Sequence, residues 1–132
     1  MSFSDGPLTS RSPAVLLIDD EPDIRNVWAM VLGMEGLTAS TAANGREGLE
    51  KARNLRPDVV ICDFMMPGLN GLEVCRLIRE DVSLKDVAVI LWSAARGIDA
   101  DGCADLVVEK PVHIEAFLAD IKSLARRSAE EN

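Results

Sequence analysis

Short apolar runs alternate with helical patterns along this chain. Residues 14–18, 37–42, 59–62, 87–92 and 106–108 form apolar runs too short for an ordinary helix. Four are bounded by turn or charged residues and three are rich in Val, Ile and Leu, as strands buried on both faces tend to be. The run at 37–42, with Thr38, Ser40 and Thr41, is the most polar and reads as an edge strand. Between the first two runs, Ile24, Val27, Trp28, Val31 and Leu32 recur at i, i+3, i+4, i+7 and i+8, one apolar stripe of an amphipathic helix. Pro22 and Asp23 suit its first turn. Further helices are predicted around 46–54 (Leu49, Ala52), around 72–80 (Val74, Leu77, Ile78) and through Ile114, Phe117, Leu118, Ile121 and Leu124.

Strand–helix alternation of this kind predicts an α/β fold, with right-handed crossovers, a five-stranded parallel sheet and helices on both of its faces. One connection stands apart. The twelve residues 94–105, AARGIDADGCAD, hold two glycines and three aspartates and few apolar anchors beyond Ile98 and Cys103. A strand of about 15–20 Å must be retraced there, and twelve residues of pure helix rise only about 18 Å. A fourth helix cut to a turn or two, or an irregular loop, is predicted.

Composition narrows the class. The 132 residues are 48% hydrophobic and 27% charged, which fits one globular domain and excludes low-complexity chains. The reading is a lead-in over 1–12, rich in Ser, Gly and Pro, a domain over 13–128 and a tail over 129–132, with no room for a separate output module. The 14 basic and 22 acidic side chains leave a net charge of −8, which predicts no binding to nucleic acid or to anionic membrane. Cys62, Cys75 and Cys103 form no C-x-x-C pair and read as reduced thiols of a cytoplasmic protein. No apolar run approaches the ~18–20 residues of a membrane span.

In folds of this type ligands sit beyond the carboxyl ends of the strands. Those ends deliver Asp19–Asp20, Asp63, Ser93 and Lys110–Pro111. Three carboxylates in one crevice repel one another unless a cation joins them, and Mg²⁺, a hard ion held by oxygen, is the economical choice. Lys110 adds a mobile positive charge and Ser93 a hydroxyl donor. The set suits phosphoryl transfer to a carboxylate, where catalysis is mainly positioning and charge neutralisation. Taken singly, Asp19–Asp20 could be solvated acids at a helix start, Asp63 a loop carboxylate and Ser93 a turn residue. His113, the only histidine, reads as a solvated residue early in the last helix.

Leu16-Leu17-Ile18-Asp19-Asp20-Glu21, the run from Asp58 to Gly71 (DVVICDFMMPGLNG), Ser93-Ala94 and Lys110-Pro111, in this order on a five-fold strand–helix pattern, resemble the receiver domain of two-component response regulators. The resemblance runs from about Pro13 to Arg127. It implies the flavodoxin-like, doubly wound sheet with strand order 2-1-3-4-5. It also implies that Asp63 is the phospho-acceptor, and that Asp19, Asp20, Asp63 and the backbone carbonyl of Met65 hold Mg²⁺. Ser93 and Lys110 are then the residues that bind the phosphoryl group and switch, and Pro111 follows a cis peptide bond, an inexpensive option only before proline.

The implied function is acceptance of a phosphoryl group from a phosphohistidine on a histidine kinase or histidine phosphotransfer protein. The acyl phosphate then changes protein–protein contacts with a downstream protein that the sequence does not name. The domain is expected to be a signalling module, not an enzyme in the ordinary sense, and a monomer or weak dimer. Two departures bear on output. The family usually carries Tyr or Phe three residues before its lysine, where this chain has Val107, and 94–105 is shorter than the family's usual connection. The alternative is therefore a pseudo-receiver that acts as a phosphorylation-independent adaptor. A haloacid-dehalogenase-like phosphatase would want a second acid where Met65 stands, and a flavodoxin would not place Asp19-Asp20-Glu21-Pro22 against an FMN phosphate.

Overall fold

The computed structural model describes residues 12–131; for 129–131 only the backbone is described. The lead-in read over 1–12 therefore lies outside the described residues apart from Ser12. The elements follow in the order β1 (Ala14–Ile18), α1 (Pro22–Met34), β2 (Thr38–Ala42), α2 (Gly45–Leu55), β3 (Val59–Asp63), α3 (Gly71–Glu80), a 3₁₀ turn (Val82–Leu84), β4 (Ala88–Ser93), β5 (Leu106–Glu109) and α4 (Ile114–Glu131). The last helix continues to Glu131, within the segment read as a tail over 129–132. Among the described residues no helix is long and apolar enough to cross a membrane.

All strand pairs are parallel, and the order β2-β1-β3-β4-β5 is that of a doubly wound sheet with β2 at an edge. The period-two alternation of each strand sorts the core into two layers. Val15, Leu17, Val59, Ile61, Ala88, Ile90 and Trp92 face α1 and α4, where Trp28, Leu32, Phe117 and Ile121 meet them. Leu16, Ile18, Val60, Cys62, Val89 and Leu91 face α2 and α3, where Leu49, Ala52, Val74 and Ile78 close the other layer. Because both faces of β1, β3 and β4 are covered, their side chains are buried almost without interruption. The polar β2 is half exposed, as an edge strand can be.

Helix starts are chemically marked. Asn44 caps α2 by accepting from Glu47 N at 2.8 Å, while Glu47 reaches back to accept from Ala43 N at 2.6 Å. Asn70 and Glu73 make a reciprocal capping box on α3, with both bonds at 2.9 Å. His113 precedes α4: its carbonyl accepts from Phe117 N at 2.9 Å and its Nδ1 from Ala116 N at 3.3 Å, so it occupies the cap position.

Residues 94–105 form no helix, the second of the two outcomes predicted from their glycines and aspartates. Gly97, Asp101 and Gly102 hold positive φ angles of 70°, 55° and 76°, which bend the segment rather than coil it. Arg79 takes over the task of a packed helix. From α3 its guanidinium donates to the carbonyls of Cys103 (2.8 Å), Val87 (2.7 Å) and Lys85 (3.2 Å), and to Asp105 Oδ2 (2.8 Å). Asp105 Oδ2 also accepts from Val89 N at 2.8 Å, so one ion pair joins α3, the crossover and β4. Ala100 is buried, and Cys103, Ala104 and Val107 pack against the same layer.

Candidate functional site

The carboxyl ends of β1, β3, β4 and β5 converge on one shallow site. Asp63 ends β3 and Ser93 ends β4, while Asp19 and Lys110 immediately follow β1 and β5. Ligand oxygens of Asp19, Asp20 and Asp63 lie within 4.8 Å of one another. Asp19 and Asp63 are buried, and Asp20 opens to solvent. The backbone fixes them: Asp19 N donates to Ala42 O (3.1 Å), Phe64 N to Trp92 O (2.8 Å) and Lys110 N to Ser93 O (2.7 Å), which sets the strand ends side by side.

Each acid has a different environment. Asp19 accepts from Glu21 N at 2.9 Å through Oδ1 and from Lys110 Nζ at 3.4 Å through Oδ2. Its carbonyl is held by Arg25 at 2.8 Å, a residue that the sequence reading did not single out. Lys110 Nζ also stands 3.7 Å from Asp63 Oδ1, so one ammonium is shared between two buried carboxylates. Burial raises the Asp63 carboxyl from an ordinary 3.8 to about 6; Lys110 and the Met65 N–H pull it down, and Asp19 and Asp20 push it up. Met65 brings its backbone to the acid, its N–H lying 3.4 Å from Asp63 Oδ1. Ser93 is buried, with Oγ accepting from Ala95 N at 3.0 Å. The Lys110–Pro111 peptide is cis.

Three carboxylates against one ammonium leave an excess of negative charge in a half-buried crevice. A divalent cation with oxygen ligands fits that donor set, which offers clustered carboxylate oxygens, one of them on an exposed residue. The residues singled out from the sequence at the strand ends are thus brought together. Besides Arg25, two supporting contacts were missed. Gly71 is buried where α3 crosses the end of β3, and a Cβ there would lie 2.6 Å from Asp63 O and 2.7 Å from Phe64 Cα. The Asn70–Glu73 capping box, legible in the sequence, could have fixed where α3 begins. The second is the ring of Trp92, whose face lies 4.6 Å beneath Lys110 Nζ.

Fold and site together define a doubly wound α/β domain with an acidic pocket at its topological switch edge. The response regulator receiver domain model matches residues 15–122, and the chain belongs to that family. It is 38% identical over 127 residues to the transcriptional regulatory protein AfsQ1 of Streptomyces coelicolor, covering 91% of this chain and 54% of that protein. It is 32% identical over 121 residues to the DNA-binding response regulator MtrA of Mycolicibacterium smegmatis, covering 89% and 52%. Among solved structures, the response regulator TrrA of Thermotoga maritima, in complex with Mg²⁺ and BeF, superposes with a TM-score of 0.77 at 36% identity, covering 85% of this chain and 98% of that one.

The chain spans about half the length of the curated relatives it matches. This corrects the expectation of no nucleic-acid partner, since MtrA, a relative, is named as DNA-binding. The net charge of −8 describes the acidic receiver, and repulsion between one domain and DNA does not govern what a longer protein binds through another part.

Proposed function

We infer that this receiver domain accepts a phosphoryl group on Asp63 from a phosphohistidine of a partner kinase or phosphotransfer protein. The observation that carries this reading is the convergence of Asp19, Asp20 and Asp63 within 4.8 Å, with Lys110 bridging two of them. The Asp63 carboxylate attacks phosphorus, an O–P bond forms, the N–P bond breaks, and the imidazole leaves. Asp19, Asp20, Asp63 and the Met65 carbonyl would hold Mg²⁺, which would supply positive charge against the phosphoryl oxygens. Lys110 supplies further positive charge from the β5 side. Ser93, whose hydroxyl now accepts from Ala95 N, turns to donate to the new phosphoryl oxygen and draws residues 94–105 with it.

Output takes a course suited to this chain. Val107 packs against the layer that holds Ala100 and Cys103, so the shift of Ser93 passes directly into the helix-free crossover, with no aromatic ring to swing. The DNA-binding relatives support an output in gene regulation, with the receiver controlling a DNA-binding part or partner. The three free thiols suit a reducing, cytoplasmic setting. The phosphorylation-independent adaptor has no observation in its favour, because the acceptor, the acidic pair and the lysine are all present and converge.

Incubation with acetyl phosphate and Mg²⁺, followed by intact mass measurement, tests the reading. One phosphoryl mass is expected on the wild-type chain and none on Asp63→Ala. An unchanged wild-type mass, or an equal gain in the variant, overturns it.

A further inference from the structure

We propose that Trp92 is a positioning residue for phosphoryl transfer: its indole face holds the Lys110 ammonium at the edge of the pocket. The proposal rests on the reading of Asp63 as phospho-acceptor, and it concerns a ring in the core layer between the sheet, α1 and α4. Lys110 Nζ stands 4.6 Å from the centre of that ring while it reaches toward Asp19 Oδ2 at 3.4 Å and Asp63 Oδ1 at 3.7 Å. Both carboxylate distances are long for charge-assisted bonds, so neither acid alone fixes the ammonium. The ring face, electron-rich and buried, supplies the third side of its seat.

The ring is itself packed on its other sides. It stacks on Phe117 with centroids 5.6 Å apart and planes at 24°, and it meets Trp28 edge-on at 5.6 Å and 80°. Trp92 is 2% exposed, and its Nε1 has no hydrogen-bond partner among the described residues. An aliphatic side chain would fill this β4 position without burying an unpaired N–H, a cost that packing alone does not call for. Beyond its ring contacts with Phe117 and Trp28, an aromatic side chain offers a π face beneath a cation, which an aliphatic one does not. The long lysine stem has many rotamers, and a fixed face removes those that turn the ammonium out to water before the phosphoryl group arrives. Trp92 is also the chain neighbour of Ser93, so the strand end that bears the switch hydroxyl bears the lysine's seat.

Two measurements on the full chain decide the matter. The first is the rate of phosphoryl mass gain from acetyl phosphate at saturating Mg²⁺. Trp92→Leu is expected to slow it by about five- to twentyfold and Trp92→Phe to recover most of the loss, while in a Lys110→Met background Trp92→Leu adds nothing further. A Trp92→Leu rate equal to wild type, or an equal slowing with and without Lys110, overturns the proposal. The second needs no change at Trp92. The ε-methylene proton signals of Lys110, assigned by their loss in Lys110→Met, are expected well upfield of an ordinary lysine because of the ring current; signals at the ordinary position overturn it. If the wild-type chain gains no phosphoryl mass while the upfield shift is present, the acceptor reading fails and the seat stands as a ground-state contact only.

Discussion

Lys110 and Asp63 face each other across the ends of β5 and β3 at 3.7 Å, yet the lysine does not bring the acid down to an ordinary carboxylate pKa. Desolvation outweighs it, and the charges of Asp19 and Asp20 add to the upward push, leaving Asp63 at about 6. The pocket is thus strained electrostatically before any ligand binds, and that strain has measurable signs.

The contribution of Asp63 to stability without metal should fall as pH rises from about 4 to about 6. The folded state holds its Asp63 proton to about 6 and the unfolded chain only to 3.8, so in this window the folded state binds more protons and loses ground as they leave. Asp63→Asn removes the effect. In EDTA it should be more stable than wild type by about 1–3 kcal/mol at pH 7, with the advantage vanishing below about pH 4. Urea unfolding across that range checks it; an advantage independent of pH, or a loss at pH 7, would contradict the account.

Mg²⁺ should relieve the same strain. Wild-type chain is expected to gain about 1–3 kcal/mol at metal concentrations about ten- to a hundredfold above Kd. Asp20 is exposed, so Asp20→Ala should fold normally and lose most of that gain. Thermal melts with Mg²⁺ and with EDTA compare the two, and an equal metal-induced shift in both would remove Asp20 from the ligand set.

Gly71 sets the distance between α3 and the acceptor strand. A Cβ at this position would meet Asp63 O at 2.6 Å and Phe64 Cα at 2.7 Å, both backbone atoms that cannot yield as a flexible side chain would. Gly71→Ala should therefore cost about 1–3 kcal/mol by forcing the helix off the strand end. It should also slow phosphorylation, since Asp63 shifts with its carbonyl. Denaturation and acetyl phosphate kinetics on one preparation test both; a stable variant with the wild-type rate would show that the contact relaxes without cost.

The strands, the helices and the strand-end acids were legible because each rests on a local signal. Apolar runs marked β1, β3 and β4, the 3.6-residue stripe marked α1, and Asp63 stood out as a charge at the end of Val59-Val60-Ile61-Cys62. The irregular crossover was legible from its glycines and aspartates. Arg79 was not, because its partners are mostly carbonyl oxygens, and a backbone acceptor leaves no residue type to find. Gly71 stood out only as the end of the run from Asp58, and its closeness to Asp63 is a packing fact that the residue type alone does not carry. The contact between Trp92 and Lys110 was not legible either, because it depends on β4 and β5 being neighbours, a tertiary fact. The DNA-binding relative corrects a different error, in which net charge alone was used to exclude a class of partner.

Arg79 carries the last prediction. Its guanidinium satisfies the carbonyls of Cys103, Val87 and Lys85 and pairs with Asp105, in a region where the crossover has no helical bonds of its own. Arg79→Met keeps much of the apolar stem and removes every one of these donors, leaving three carbonyls without that partner and Asp105 with only the Val89 N–H and the more distant Arg127, at 3.9 Å. A loss of about 2–4 kcal/mol is expected, well above that of an exposed ion pair, because several part-buried groups lose their partner at once. Arg79→Lys should recover only a small part, since one ammonium cannot span the fork. Hydrogen exchange should speed up selectively over 94–105 and at Val89, whose N–H bonds to Asp105, while β1 and β3 keep their protection. If exchange in the crossover is unchanged in Arg79→Met, the segment is held by its other contacts, Ala100 and Cys103 packing and the Arg76–Asp101 pair among them, and the route from Ser93 to the surface would have to be sought elsewhere.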